Sequence, residues 1–520
     1  MDVERISIIE NFVPKNDDAL LKKAKAYQPQ LLETTVRPIA AYRMAEGNKD
    51  CGMPIALNTL SKQAFGAGDS VCLDFGSHWV GYCTLKVGFV GSHPDAPAYL
   101  KLQFAEVAGE LDEDAETYRG WISKSWIQEE RLHLDRVPSE LRLPRRYAFR
   151  YLKITVLDTS KKYRVTLDNI VCRAASAVDL SSVSPLRCGD PLLDRIDAIS
   201  LKTLADCMQE VFEDGPKRDR RLWLGDFRLQ ALINYRSFRH RDLVRRCLYL
   251  FAGTRFPDDR IAACIFTDNE ATADDTWFSD YALFYPIALE EYLREYEDAE
   301  VLHDLYELAV LQIDRALASC ENGVVSQAFS DAAFIDWCPG LDKAACAEGV
   351  LLYALPYAIV LANRMHDAKR AERYAAELAL HRAAAKRQYW NEVQRCFVSN
   401  EQVSPAAQIW MVLGGVLETD EAAELLSRIP QAPTDYPMVS PYMHHYYLEA
   451  LLATGMQDAA LAHLKAYWGS MVERDADTFW EIWNPDAPDA SPYGGTIVNS
   501  WCHAWSCSPA YLLRSGAFSD

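Results

Sequence analysis

Asp214-Gly215-Pro216-Lys217-Arg218-Asp219-Arg220-Arg221-Leu222-Trp223-Leu224-Gly225-Asp226 is the stretch on which the reading of this chain turns. It places three carboxylates, four cationic side chains and one Trp within thirteen residues. Burying so many charges is costly unless they pair with one another or serve a ligand. Gly215 and Pro216 shape the backbone here, and a solvated loop has no need of Trp223. Carboxylates and Arg hydrogen-bond hydroxyls, an aromatic ring covers an apolar face, and a spare carboxyl can carry a proton. The combination suits a sugar.

The segment before this motif reads as a helix. Asp190 can cap it with Pro191 at the first helical position. Leu192, Leu193, Ile196, Ile199, Leu204, Met208 and Val211 then recur at helical spacing, so the helix is expected to reach Glu210-Val211-Phe212-Glu213. Beyond the motif, helical periodicity recurs near 227–250, 277–297, 299–319, 344–364, 367–388, 405–416, 420–427, 440–454 and 457–474. Such a run suggests paired helices closing into a toroid, with an open superhelix as the alternative. No 34- or 40-residue repeat signature is visible, which favours closure.

Upstream the period changes to two. Residues 71–76, 80–87, 98–104, 147–157 and 163–172 form short apolar or alternating runs split by Gly and Ser. Arg150 to Val156 alternates as a half-buried strand does. Strands at short intervals indicate a β-sandwich. Residues 106–118 are acidic and read as a solvated loop, and 174–188 as a linker. The expected fold class is therefore multidomain β + α: a β-sandwich over residues 1–175, then a helical domain over 176–520.

Composition narrows the function. The 520 residues carry 54 Lys and Arg against 74 Asp and Glu, a formal charge of −20. That disfavours nonspecific binding to nucleic acid or to an anionic membrane and suits neutral ligands. No stretch approaches the ~20 consecutive apolar residues of a membrane span. The N-terminus, Met1 to Arg5, lacks the pattern of a secretory signal. The 14 Cys contain no CxxC pair and several sit in apolar runs, so buried free thiols in a reducing cytoplasm are expected.

The order of a β-sandwich, a linker, a helix and the Asp214–Asp226 motif resembles the α-L-rhamnosidases of glycoside hydrolase family 78. Their signature reads approximately D-[GC]-P-x-R-(D)-E-R-x-x-W-x-G-D. Leu73-Asp74-Phe75-Gly76 with Val80-Gly81-Tyr82 is similar to the family's sandwich segment. Cys188-Gly189-Asp190-Pro191-Leu192-Leu193 is similar to its first barrel helix. Phe334-Ile335-Asp336-Trp337 and Thr478-Phe479-Trp480-Glu481-Ile482-Trp483 resemble its later pocket segments. The likeness runs from about residue 70 to 510, in a chain short for the family.

The resemblance implies an (α/α)6 barrel and inverting hydrolysis of terminal α-L-rhamnose. It places the general acid at Asp219 and the general base at Glu481. Asp214 and Arg218 map to positions that bind rhamnose hydroxyls, Trp223 to an aromatic wall and Asp226 to the closing acid of the motif. His503 holds the place of a pocket His about twenty residues after the base. Asp336 and Trp337 are candidates for hydroxyl and stacking contacts. Trp223, Trp277 or Trp337 can meet the sugar's methyl group. Asp219 departs from the family, where Glu is common, and its reach is shorter by one methylene.

Several chemistries find no support. His444 and His445 are adjacent, so on a helix they diverge by about 100° and make a poor metal pair. There is no HExxH, P-loop, GxGxxG or G-x-S-x-G motif, and neither a metal nor a cofactor is expected. The expected partner is a small rhamnoside, such as a plant flavonoid glycoside, and a homodimer is compatible with the sequence. Two rivals remain at this level: a barrel glycosidase for another deoxysugar or a uronic acid, and a noncatalytic carbohydrate-binding protein.

Overall fold

The alternation that marks Arg150–Val156 as a strand belongs to a network of nine strands. The computed structural model describes residues 12–44, 52–431 and 434–518. Its longest strand, Ser70–Gly91, links two antiparallel layers. Residues 70–74 lie between strands Ala40–Met44 and Tyr147–Asp158, and 79–81 continue beside the latter. Residues 81–91 lie beside Tyr163–Ser176, with Ser139–Arg142 on the other edge over 84–87. The strand changes neighbours without breaking because Gly76, at φ +79, opens a bulge between Asp74 and Trp79. The sequence reading had split this strand in two at that glycine. One apolar cluster, including Leu73, Leu85, Leu100, Phe149, Ile154 and Val165, fills the space between the layers.

Helices occupy the rest. Asp190 caps Pro191–Cys207 by accepting from the N–H groups of Leu192 and Leu193 at 2.9 and 3.3 Å. This helix stops at Cys207, six residues before the expected Glu213, because Met208 bridges to Phe212 and turns the chain. The expected 227–250 segment is two helices, Leu224–Arg236 and Arg241–Gly253, joined by a turn with Arg239 at φ +54. Helices Leu224–Arg236, Ser279–Tyr296, Ala344–Arg364, Pro405–Leu413 and Pro441–Ala453 pack each on the next. The last touches the turn Ala504–Cys507, and Ser508–Arg514 returns to the first. Buried Arg228 pairs with Glu291 at 2.8 Å and donates to the hydroxyls of Tyr446 and Tyr353, so four of these helices share one polar centre.

Two further expectations need correction. Ala344–Arg364 is long and apolar enough by composition to cross a bilayer, yet 67% of its most apolar window is buried against neighbouring helices. Core helices of soluble proteins have the same composition, because both surroundings exclude water. The N-terminal part of the chain is not all sandwich. Helix Asp18–Ala26 packs on Arg241–Gly253, and Lys15–Asn16 pairs with Thr254–Arg255. The thirteen described cysteines are free thiols, eleven of them buried.

Candidate active site

The motif folds as a tight loop whose polar atoms are satisfied from within. Asp214 is buried, and its two carboxylate oxygens accept from the backbone N–H groups of Arg221 and Asp219 at 3.0 and 3.2 Å. A Cβ on Gly215 would lie 2.5 Å from the Arg218 carbonyl and 2.8 Å from Ser500 Oγ, so only glycine fits there. The four cationic residues diverge. Arg218 points inward. Arg220 donates to the Arg146 carbonyl at 2.8 Å, Arg221 lies over the Phe266 ring, and Lys217 pairs with Glu106 and Glu110.

Arg218 organises the site. Its Nη2 donates to Glu481 Oε2 at 2.6 Å, and its Nη1 lies 3.6 Å from Asp219 Oδ1. Its Nε donates to the Val498 carbonyl at 2.9 Å, and its guanidinium covers the Tyr493 ring at 4.2 Å. One planar guanidinium thus touches both expected catalytic carboxylates. Asp219 is the more open of the two, its side chain 20% exposed against 5% for Glu481.

Glu481 is held as a charged group. Burial works against its ionisation, but Arg218, His503 and the hydroxyl of Tyr493 outweigh it and keep its carboxyl below the ordinary range. Asp214 behaves in the opposite way. Burial and the neighbouring Asp219 raise its carboxyl to about 7. Burial also raises Asp226, whose Oδ1 lies 2.8 Å from His503 Nε2. Burial works against charge on His503, yet Asp226 and Glu481 shift it upward. His503 Nδ1 is buried and meets no hydrogen-bond partner among the described residues, which leaves a polar atom for a ligand.

An aromatic wall adjoins these groups. Trp223 stacks on Phe278 with 6.2 Å between centroids, and Phe278 continues to Phe334. Phe334 meets Trp337 edge-on, and Trp337 meets Tyr493 at 5.5 Å. Trp505 closes the wall between Phe334 and His503. A sugar's apolar face and methyl group can pack on such a surface.

The structure therefore brings together Asp214, Arg218, Asp219, Asp226, Glu481 and His503, with Trp223 and Trp337 in the wall. Asp336 and Trp277 have further contacts of their own. Asp336 spends both oxygens on the protein: it accepts from Val439 N, Ser440 Oγ and its neighbour Trp337 N, at 2.7, 2.6 and 2.8 Å. It anchors the start of helix Pro441–Ala453. Trp277 packs on Phe329 and under the Arg260 guanidinium, one residue outside the wall. The sequence reading missed Tyr493 and Ser500. Ser500 donates its N–H to Glu481 at 3.4 Å and its hydroxyl to the Arg218 carbonyl at 2.9 Å. Tyr493 sits in Ser491-Pro492-Tyr493-Gly494-Gly495, and an aromatic set in a Pro/Gly loop between Glu481 and His503 was the available signal.

One group among the described residues has the makings of a metal site: His78, Asp206 and Cys502, all buried. Both ring nitrogens of His78 already face carboxylates, Asp206 at 2.7 Å and Glu106 at 3.1 Å, and Lys202 pairs with Asp206. That is an ion-pair network, charged on both sides. His444 and His445 do diverge, toward His463 and Glu449.

Comparison with known proteins places the chain. Residues 50–174 match the glycosyl hydrolase family 78 α-rhamnosidase N-terminal domain. Residues 181–516 match the bacterial α-L-rhamnosidase 6 hairpin glycosidase domain. A rhamnosidase from Klebsiella oxytoca, solved with rhamnose bound, is 42% identical over 97% of this chain and 99% of that one, with a TM-score of 0.92. The family 78 rhamnosidase of Bacillus sp. GL1 has the same fold at 23% identity and a TM-score of 0.73, over 86% of this chain and 46% of that one. No curated protein matches by sequence. On the family models and the 42% relative together, the chain belongs to the family 78 α-L-rhamnosidases, which are glycoside hydrolases.

Proposed function

We propose that this protein is an exo-acting, inverting α-L-rhamnosidase that removes terminal rhamnose from small glycosides, plant flavonoid rhamnosides among them. Its helical region is read as an (α/α)6 barrel, with the helix ring described above as the inner wall. Asp219 is the general acid and Glu481 the general base. The observation that carries this assignment is Arg218, whose guanidinium touches both carboxylates. Bridging by one guanidinium keeps them no farther apart than the upper end of the ~6.5–9.5 Å gap that inversion needs.

The reaction follows from these positions. Asp219, at the open side, serves as the proton donor to the glycosidic oxygen as the bond from C1 to that oxygen breaks. Water attacks C1 from the opposite face, and Glu481 takes its proton. Arg218, Tyr493 and Ser500 keep Glu481 ionised and oriented before the water arrives. Asp214 shapes the loop that presents Asp219, through the Asp219 N–H. The unpaired Nδ1 of His503 is available to a rhamnose hydroxyl, and the wall from Trp223 to Trp337 to the ring and its methyl.

The test is hydrolysis of p-nitrophenyl α-L-rhamnopyranoside beside a panel of other p-nitrophenyl sugars. The wild type should prefer the rhamnoside. Asp219→Asn and Glu481→Gln should each lose at least ~10²–10⁴-fold in kcat. A wild type silent on the rhamnoside but active on another sugar would overturn the substrate. An unimpaired Asp219→Asn would move the acid elsewhere.

A further inference from the structure

The β-rich region reaches into the catalytic centre, through the acidic stretch that the sequence had marked as solvated. Glu106 and Glu110, within that stretch, are buried. Glu106 Oε2 accepts the Trp501 N–H at 2.7 Å and lies 3.3 Å from Lys217 Nζ. Its Oε1 lies 3.1 Å from His78 Nε2. Glu110 also pairs with Lys217 and accepts the Glu106 N–H. Glu113 takes the Ile497 N–H at 3.2 Å and the Thr496 hydroxyl. The Tyr118 hydroxyl donates to the Tyr493 carbonyl at 2.7 Å, and Trp121 Nε1 to that of Pro492 at 2.8 Å.

These contacts fall on two segments. Lys217 immediately precedes Arg218 and Asp219. The 492–501 loop carries Tyr493, Val498 and Ser500, all partners of Arg218 or Glu481. From the β-rich region, the Glu106 side chain touches both segments at once. The two strips also meet directly, through Ser500 Oγ to the Arg218 carbonyl and Arg218 Nε to the Val498 carbonyl, and Glu106 adds a carboxylate behind them from outside the helical region.

We propose that Glu106 is a positioning residue for the catalytic centre. By holding Lys217 and the Trp501 peptide together it fixes the register of Arg218 against Glu481. The inference rests on the reading of Glu481 as the base. The charged and titratable groups around Glu106 are His78, Lys217 and Glu110; those around Glu481 are Arg218, Tyr493, His503 and Asp226. Burial works against charge on Glu106, and Lys217 with His78 outweighs it, so Glu106 stays ionised and the clamp keeps its charge.

The experiment measures kcat, KM and the pH dependence of kcat/KM on p-nitrophenyl α-L-rhamnopyranoside. It compares wild type, Glu106→Ala, Glu106→Gln, Glu481→Gln and Arg514→Ala, with thermal melting of each. Arg514 pairs with Asp197 away from the site and reports the effect of losing a buried ion pair as such. Glu106→Ala should lose on the order of 100-fold in kcat with little change in KM, as a misplaced catalytic group does. Its acid limb should move to higher pH, because a poorly matched Arg218 protects the Glu481 charge less. Glu106→Gln keeps an acceptor for the Trp501 N–H and should recover part of the loss. Arg514→Ala should lower the melting temperature and leave the acid limb in place.

A folded Glu106→Ala with the wild-type kcat and acid limb would overturn the proposal. So would a loss that follows the unfolded fraction alone, or the failure of both Glu106 variants to fold, since either makes Glu106 merely structural. An active Glu481→Gln would instead strike the base assignment, whatever Glu106 does.

Discussion

Asp214→Asn should make this protein less stable in acid and more stable at alkaline pH, with the two stability curves crossing. The native Asp214 carboxyl is raised from 3.8 to about 7 by burial and by Asp219 beside it. Between those values the folded chain keeps the proton and the unfolded chain does not. Stability then falls as pH rises, by about 1.4 kcal/mol per pH unit, or about 4 kcal/mol across the interval. Below the unfolded value both states are protonated and the penalty is absent. Asn cannot ionise, so the variant escapes this loss. It has its own cost, since the two Asp214 oxygens accept from Asp219 N and Arg221 N, and Asn puts a donor NH2 in the place of one of them. A buried N–H left without an acceptor costs about 1–3 kcal/mol. The variant should therefore be weaker by about that amount at pH 4 and stronger by about 1–3 kcal/mol at pH 8. Thermal and urea unfolding of both proteins from pH 4 to 9 measure the difference. A wild-type minus variant difference that does not change with pH would refute the burial argument.

Three other outcomes follow from the same contacts. Tyr493→Phe removes a hydroxyl that favours the charged form of Glu481, so the acid limb of kcat/KM should move to higher pH; an unmoved limb would remove Tyr493 from the site. Arg218→Met strands the Glu481 charge in a buried place and should cost about 3–5 kcal/mol of stability. That penalty should be full at neutral pH and should fade in acid as Glu481 protonates, which melting at pH 4 and pH 7 would detect. Trp337→Ala opens the aromatic wall between Phe334 and Tyr493 and should raise KM for the rhamnoside more than it lowers kcat, as steady-state kinetics can resolve.

Periodicity located most elements, and it failed where a partner distant in sequence decides the outcome. Arg150–Val156 and the capped helix at Pro191 were legible because their signals are local. The end of that helix was not, since Met208 and Val211 keep helical spacing while the chain turns to deliver Asp214. The break at Arg239 carries no Gly or Pro, so two helices looked like one. Helix Asp18–Ala26 buries only Ala24 fully and gave a weak apolar pattern. The candidate carboxylates, Arg218 and His503 were found through the family motif and its spacing. Glu106 and Glu110 were not, because an acidic run looks the same whether water or Lys217 neutralises it. For Asp336 the residue type suits a sugar, and only the structure reveals that both oxygens also accept from the protein.

The most direct test follows the first turnovers of p-nitrophenyl α-L-rhamnopyranoside by proton NMR, before the released sugar equilibrates. Water delivered by Glu481 opposite the proton from Asp219 must yield β-L-rhamnose first. Initial release of the α-anomer would mean retention, and Asp219 and Glu481 could not then hold the roles assigned to them.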